Sequence, residues 1–229
     1  MDGKVRLRAV LTVSAEGKGA ILRASASRPD LLVADLAVLA REKKAHGREL
    51  VESLAREGLP GAVPLAAGLD DLDSLDATLD LKAVVRPGVS YILVPRVDLP
   101  EEVHQLDGAV EDLEGHFGLE VGRIRLLLAL GEGAASRLGE IAGASRRLAA
   151  LLPACKPIAS PAARRLRARL PEEAAAVGVA SIDAPHPNPL DPRGLLEEAR
   201  EALDLGYSGK LATHPRQVAT IQELFSGWT

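Results

Sequence analysis

Aromatic side chains are scarce in this chain of 229 residues, which contains two phenylalanines, two tyrosines and one tryptophan. Proteins that bind single-stranded nucleic acids stack the bases on aromatic rings, and cages for quaternary cations are built from such rings as well. The scarcity argues against both kinds of site. We therefore expect a ligand of this protein to contact polar groups and aliphatic walls.

Cysteine is nearly absent, because Cys155 is the only one in the chain. No intrachain disulfide can form, which excludes a small secreted domain held together by disulfides. We interpret Cys155 as a small buried apolar residue.

Long apolar runs and an excess of positive charge are both missing. No window reaches the roughly 18 consecutive apolar residues of a membrane span, and residues 1–10 lack the apolar segment of a signal peptide. The 28 basic residues face 32 acidic ones, which gives a formal charge of −4 and no field that attracts polyanions. We expect a cytoplasmic protein without nucleic-acid or membrane partners.

The sequence does contain short apolar runs that alternate with longer segments of helical periodicity. The predicted strands cover 6–13, 31–36, 62–66, 89–95, 124–130, 147–152, 179–183 and 210–213. The predicted helices cover 17–27, 42–58, 72–83, 100–119, 134–144, 161–177, 192–205 and 216–226. Strands that are apolar throughout are typical of a parallel sheet buried on both faces.

Eight strand–helix pairs in a chain of this length predict one domain, a (β/α)₈ TIM barrel over residues 1–229. A doubly wound open sheet is the alternative. Its dinucleotide-binding fingerprint is absent, since Gly17 and Gly19 lack a third glycine at the required offset. Barrels of this kind carry their functional groups at the carboxyl ends of the strands.

The most specific motif lies near the C-terminus. It comprises the segment 191–195, then Gly206, Gly209 and Lys210, and finally His214, Pro215 and Gln217. This pattern resembles the C-terminal part of the citrate lyase β-subunit-like proteins of the HpcH/HpaI aldolase family. The segments 94–97, 129–134 and 181–185 are similar to further strand ends of that family.

The resemblance implies a carbon–carbon lyase acting on a malyl-, citramalyl- or citryl-type acyl thioester, or on a related oxo acid, with Mg²⁺. Glu132 occupies the position of the family's metal-binding Glu after the fifth strand. We expect Arg96, Asp183 and His214, at three other predicted strand ends, to line the catalytic mouth. A hard cation and a guanidinium suit this chemistry, because cleavage leaves negative charge on an enolate oxygen. The resemblance also implies a homo-oligomer, since family members commonly form trimers.

Several family positions carry other residues in this chain. The family's Arg-Val-Asn at the end of the third strand is replaced by residues 64–66, and only Asp35 remains where the family reads Leu-Glu-Asp after the second strand. The segment 152–157, after the sixth strand, lacks the family's second metal-binding Asp. Lys156 stands in its place and is a candidate to supply fixed positive charge. The chain stops at Thr229, so we expect it to lack the family's C-terminal segment over the barrel mouth.

These departures leave three hypotheses. The chain is an active lyase, or a degenerate barrel that serves as a binding or assembly subunit, or a metal-independent enzyme with another small substrate. The basic run of residues 164–169 adds one further alternative. We interpret it as the solvated face of a helix, and a site for the phosphates of a coenzyme is the other reading.

Overall fold

The strands close into a barrel in sequence order in the computed structural model, which describes residues 6–154 and 160–227. Every neighbouring pair is parallel, and β1 pairs with both β2 and β8. The strands are β1 Ala9–Ser14, β2 Leu31–Asp35, β3 Leu65–Gly68, β4 Val89–Val97, β5 Arg125–Leu130, β6 Leu148–Pro153, β7 Ala180–Asp183 and β8 Gly209–Ala212. The predicted (β/α)₈ barrel is confirmed.

An α-helix follows each strand in the described residues. The helices are α1 Lys18–Ser25, α2 Lys44–Glu57, α3 Leu75–Val84, α4 Pro100–His116, α5 Leu138–Ala142, α6 Pro161–Ala176, α7 Pro192–Asp204 and α8 Pro215–Leu224. Proline opens α4, α6, α7 and α8, where its missing amide costs no hydrogen bond. None of these helices is long and apolar enough to cross a membrane.

Two predicted elements differ from the structure. The third strand lies at Leu65–Gly68 instead of 62–66, because Pro60–Ala62 forms a 3₁₀ turn in which Gly61 has a φ of 73°. The predicted helix 134–144 is divided into a 3₁₀ helix, Glu132–Ser136, and the short α5. Glycine at several positions in this segment disfavours one continuous helix.

Apolar side chains form two clusters, one inside the barrel and one between the barrel and its helices. Successive side chains of a strand face opposite sides of the sheet. Counting along a strand from a residue of known cluster therefore shows whether the residue at its end faces the barrel interior or the helices. Val33 belongs to the inner cluster, and Asp35 therefore faces the barrel interior. Ile182 is also an inner residue, which turns the next residue, Asp183, towards the helices.

Candidate active site

Glu132 is separated from the end of β5 only by Gly131, and it opens the 3₁₀ helix Glu132–Ser136. Its side chain is exposed and makes no hydrogen bond or ion pair with any residue that the structure describes. A carboxylate of this kind, at the carboxyl end of a barrel strand, is available to a ligand.

The backbone around Glu132 is held by Asp98, which follows β4. Asp98 Oδ1 accepts a hydrogen bond of 3.1 Å from the Ala134 amide. Glycines flank Glu132, and a Cβ atom at Gly133 would lie 2.8 Å from that same Oδ1. Only glycine therefore lets Asp98 approach this closely.

Asp98 is the residue that the sequence interpretation missed. Its own amide donates to Glu102 Oε2 at 2.8 Å, which ties it to the first turn of α4. One available clue is its position, directly after the segment 94–97 and two residues before Pro100. Its contact with a loop 36 residues away is visible only in the fold.

Arg96 lies where β4 departs from regular pairing. The register with β5 shifts between Val94 and Val97, and Arg96 has a φ of 47°, which non-glycine residues adopt rarely. Its side chain is 68% exposed and pairs with Asp71, with Nε 3.0 Å from Oδ1. An exposed ion pair is weak, so the Arg96 guanidinium is open to exchange of Asp71 for another anion.

Asp183 is buried on the helix side of β7. Its carboxylate accepts bonds of 2.9 and 3.1 Å from Arg167 of α6 and one of 2.8 Å from Lys210 of β8. Burial would lower the pKa of Arg167, but its hydrogen bonds to Asp183 and Glu201 raise it overall. Asp183 thus joins a strand pair to a helix and does not line the barrel interior.

Arg167 also corrects the interpretation of the basic run 164–169. A wholly solvated face was expected there, yet Arg167 is buried against β7. Its neighbours Arg164 and Arg165 are exposed, as expected. Two further residues singled out in the sequence, Cys155 and Lys156, lie outside the described residues.

His214 is the N-cap of α8. Its Nδ1 accepts a hydrogen bond of 3.2 Å from the Arg216 amide, and Gln217 Oε1 accepts one of 3.1 Å from the His214 amide. These reciprocal bonds form a capping box, which satisfies amides that the first helical turn leaves unpaired. The structure therefore gives His214 a local function in starting a helix.

Asp35 ends β2 and faces the barrel interior beside Gly68 of β3. Its Oδ1 accepts a hydrogen bond of 2.9 Å from the Ala37 amide. Burial raises the pKa of Asp35 above its ordinary value, and the nearby charge of Asp70 adds to the rise. The Ala37 amide and the charge of Lys44 oppose this rise without cancelling it.

The predicted site residues are therefore divided between two parts of the molecule. Arg96 and Glu132 belong to neighbouring strand ends, after β4 and β5, with Asp98 between them. Asp183 and His214 belong to β7 and α8, where both have structural partners.

The described residues supply only part of a Mg²⁺ site. This ion needs oxygen ligands in an octahedral shell, commonly one or two carboxylates together with water and substrate oxygens. Glu132 offers one free carboxylate. Within residues 6–154 and 160–227, no group of three His, Cys, Asp or Glu side chains is placed to hold a metal ion. The donor set fits an ion that shares its shell with the substrate, and does not fit a closed protein site.

Two further groups implied by the family resemblance are not found among the described residues. Neither residues 64–66 nor the end of β3 at Gly68 carries the guanidinium or the amide of the family's Arg-Val-Asn. Ala154 follows β6, and Lys156, which stands in place of the family's second metal-binding carboxylate, lies outside the described residues.

Comparison with known proteins identifies similar sequences and folds. The family described as HpcH/HpaI aldolase/citrate lyase matches residues 8–154. The citrate lyase subunit beta of Haemophilus influenzae is 27% identical over 231 residues, covering 96% of this chain and 79% of that subunit. The crystal structure of RipC from Yersinia pestis, at 25% identity, covers 97% of this chain and 96% of that one with a TM-score of 0.77.

A further similar structure is the citrate lyase beta subunit of Mycobacterium tuberculosis complexed with oxaloacetate and magnesium. It is 21% identical, covers 98% of this chain and 99% of that one, and has a TM-score of 0.76. At this identity the likeness shows the shared fold. Together with the family match, these results confirm the resemblance found in the sequence.

Proposed function

Because the chain belongs to the HpcH/HpaI aldolase/citrate lyase family, we propose that it is a carbon–carbon lyase acting at the carboxyl ends of its strands. Its proposed substrate is a malyl-, citramalyl- or citryl-type acyl thioester, or a related oxo acid. The observation that carries the proposal is the exposed carboxylate of Glu132 after β5, with which no described residue forms a hydrogen bond or an ion pair. Its flanking backbone is held by Asp98, so the carboxylate is presented from a fixed loop.

Each residue at this edge has a task in the proposed reaction. Glu132 would hold Mg²⁺, which when bound supplies positive charge for the enolate oxygen. Arg96 would bind a substrate carboxylate in exchange for Asp71, because its guanidinium is exposed and forms a two-pronged contact. With one protein carboxylate in the shell, the affinity for Mg²⁺ should depend on the substrate.

The direct test is a coupled assay of malyl-CoA, citramalyl-CoA and citryl-CoA cleavage with and without Mg²⁺. We expect Mg²⁺-dependent cleavage of at least one thioester. Glu132→Gln should abolish it, whereas Glu111→Gln, on the exposed side of α4, should not. No cleavage of any of the three thioesters, and none of the corresponding free acids in the same assay, overturns the proposal.

Calorimetry adds a measurement that does not depend on turnover. We expect weak binding of Mg²⁺ alone and tighter binding when oxaloacetate is present, with both lost in Glu132→Ala. Binding of equal strength with and without oxaloacetate would contradict a shell shared with the substrate.

A second candidate function is a non-catalytic binding or assembly subunit. It is favoured by the sequence at the ends of β3 and β6, where residues 64–66 and Lys156 stand in place of the family's Arg-Val-Asn and its second metal-binding Asp. Flat calorimetric traces with both Mg²⁺ and coenzyme A, together with no cleavage, would favour this candidate. Clear metal binding that Glu132→Ala abolishes counts against it.

The proposal includes a homo-oligomer, with a trimer as the assembly that family resemblance suggests. Leu75 and Leu79 support an assembly of copies, because both lie on the outer side of α3 and are 84% and 51% exposed. Light scattering after size exclusion measures the mass directly, and a mass of one chain would overturn this part.

A further inference from the structure

Asp35 carries a carboxyl group inside the barrel mouth, and the proposed reaction does not yet assign it a function. It shares its inward-facing parity with Val33, and it pairs in register with Ser14 of β1 and Gly68 of β3. A Cβ atom at residue 68 would lie 2.7 Å from Asp35 Oδ1. Glycine at this strand end therefore makes the space that the carboxyl group occupies.

The two oxygens of Asp35 differ in their surroundings. Oδ1 is fixed by the Ala37 amide at 2.9 Å. Oδ2 receives no hydrogen bond from the described residues. It is not one of their fully buried polar atoms that lack a partner, so it is not closed off from solvent. One oxygen thus orients the group, and the other stays accessible from the barrel mouth.

Two charged groups influence Asp35 from the elements packed against it, Lys44 at the start of α2 and Asp70 after β3. Lys44 Nζ lies 2.7 Å from Asp70 Oδ2 and 3.6 Å from the buried Asp80. Its charge is therefore shared between two other carboxylates. No cation among the described residues pairs with Asp35 alone, which together with burial keeps proton uptake easy.

We propose that Asp35 is the acid–base group of the lyase reaction, an inference that rests on the proposed function. Oδ2 takes the proton from the β-hydroxyl group of the substrate as the carbon–carbon bond breaks. The electron pair of the broken O–H bond forms the second bond of the new carbonyl group. The electron pair of the broken carbon–carbon bond passes to the enolate. Asp35, now a carboxylic acid, returns the proton to the enolate carbon, so atoms and charge balance within one turnover.

The raised pKa agrees with this assignment, because a group that takes and returns a proton works best when its pKa lies near the working pH. A purely structural carboxylate would have a cation or several amides around it. Asp183, with three charged hydrogen bonds, shows that arrangement in the same molecule.

The experiment compares steady-state cleavage by the wild-type chain, Asp35→Asn, Asp35→Glu and the control Asp112→Asn, an exposed position on α4. The substrate is whichever of the three thioesters the wild type cleaves. We expect Asp35→Asn to lower kcat about 10²- to 10⁴-fold with KM changed less than about threefold, as loss of a general base does. Asp35→Glu should restore part of kcat and displace the rising limb of the pH profile.

The outcomes separate the two proposals. No cleavage by the wild type overturns the proposed function and this inference with it. Cleavage by the wild type and Asp35→Asn within threefold of each other overturns the inference alone. If Asp35→Asn proves unstable, the pH profile of Asp35→Glu decides, since a profile identical to the wild type's would also overturn the inference.

Discussion

The carboxylate of Asp98 accepts a 3.1 Å hydrogen bond from the amide of Ala134, two residues beyond Glu132. This bond crosses from the end of β4 to the loop after β5, and it runs past two glycines that leave room for it. The position of the free Glu132 carboxylate therefore depends on a neighbour that itself need not touch a ligand.

Gly133→Ala should displace the Glu132 loop, because its new methyl group would lie 2.8 Å from Asp98 Oδ1. We expect kcat/KM for thioester cleavage to fall about 10- to 100-fold, as a shift near 1 Å can cause. The matched control is Gly115→Ala in α4, where a Cβ atom meets nothing within 4 Å. Activity equal in both variants would show that the Asp98 contact does not position Glu132.

Asp183→Ala should destabilise the barrel, because it leaves Arg167 and Lys210 buried without their shared carboxylate. Breaking a buried pair in this way costs about 3–5 kcal/mol, which urea denaturation can measure. The Glu201 side chain, the other partner of Arg167, is 60% exposed. Glu201→Ala should therefore cost less than about 1 kcal/mol. Unchanged stability with lost cleavage in Asp183→Ala would instead favour a catalytic function for Asp183.

His214→Asn should keep both stability and cleavage, since asparagine is among the best N-cap residues. His214→Ala removes the acceptor of the Arg216 amide and should cost about 0.5–2 kcal/mol, measured by thermal unfolding. Loss of cleavage in His214→Asn without loss of stability would mean that the imidazole also acts on the substrate.

The pH dependence of stability should differ in sign between Asp35 and Asp70. The raised pKa of Asp35 favours its neutral form in the folded state, so its contribution is present below the unfolded pKa and is lost as pH rises through the folded pKa. Asp35→Asn should therefore be more stable than the wild type at pH 7, with the gain shrinking towards acid pH. Denaturant titrations between pH 4 and pH 8 measure it, and a loss of stability at pH 7 would contradict the expectation.

Asp70 provides the opposite case. Burial alone would raise its pKa, but the hydrogen bonds from Lys44 and from the Asp71 amide lower it overall. Its contribution to stability is thus present above the unfolded pKa and is lost as pH falls through the folded pKa. In denaturant titrations extended down to about pH 2, Asp70→Asn should be less stable than the wild type at pH 7, and this deficit should shrink as pH falls below the unfolded pKa of about 4.

The sequence by itself determined the barrel, because alternating strand-length and helix-length apolar runs allow few other parallel folds. It also located the starts of α4 at Pro100 and of α7 after Asp191, since capping and proline preferences are local. Glu132 was found by its motif, and no side chain in residues 6–154 or 160–227 pairs with its carboxylate.

Only the tertiary structure decided which way each strand end faces. The strands are apolar on both faces, so the sequence carries no alternation that would distinguish the inward Asp35 from the outward Asp183. The tertiary structure likewise decided that Asp98 contacts the Glu132 loop and that Arg167 is buried, because both depend on contacts between residues far apart in the chain. Closure of the barrel brings those residues together, and no local sequence pattern predicts these contacts.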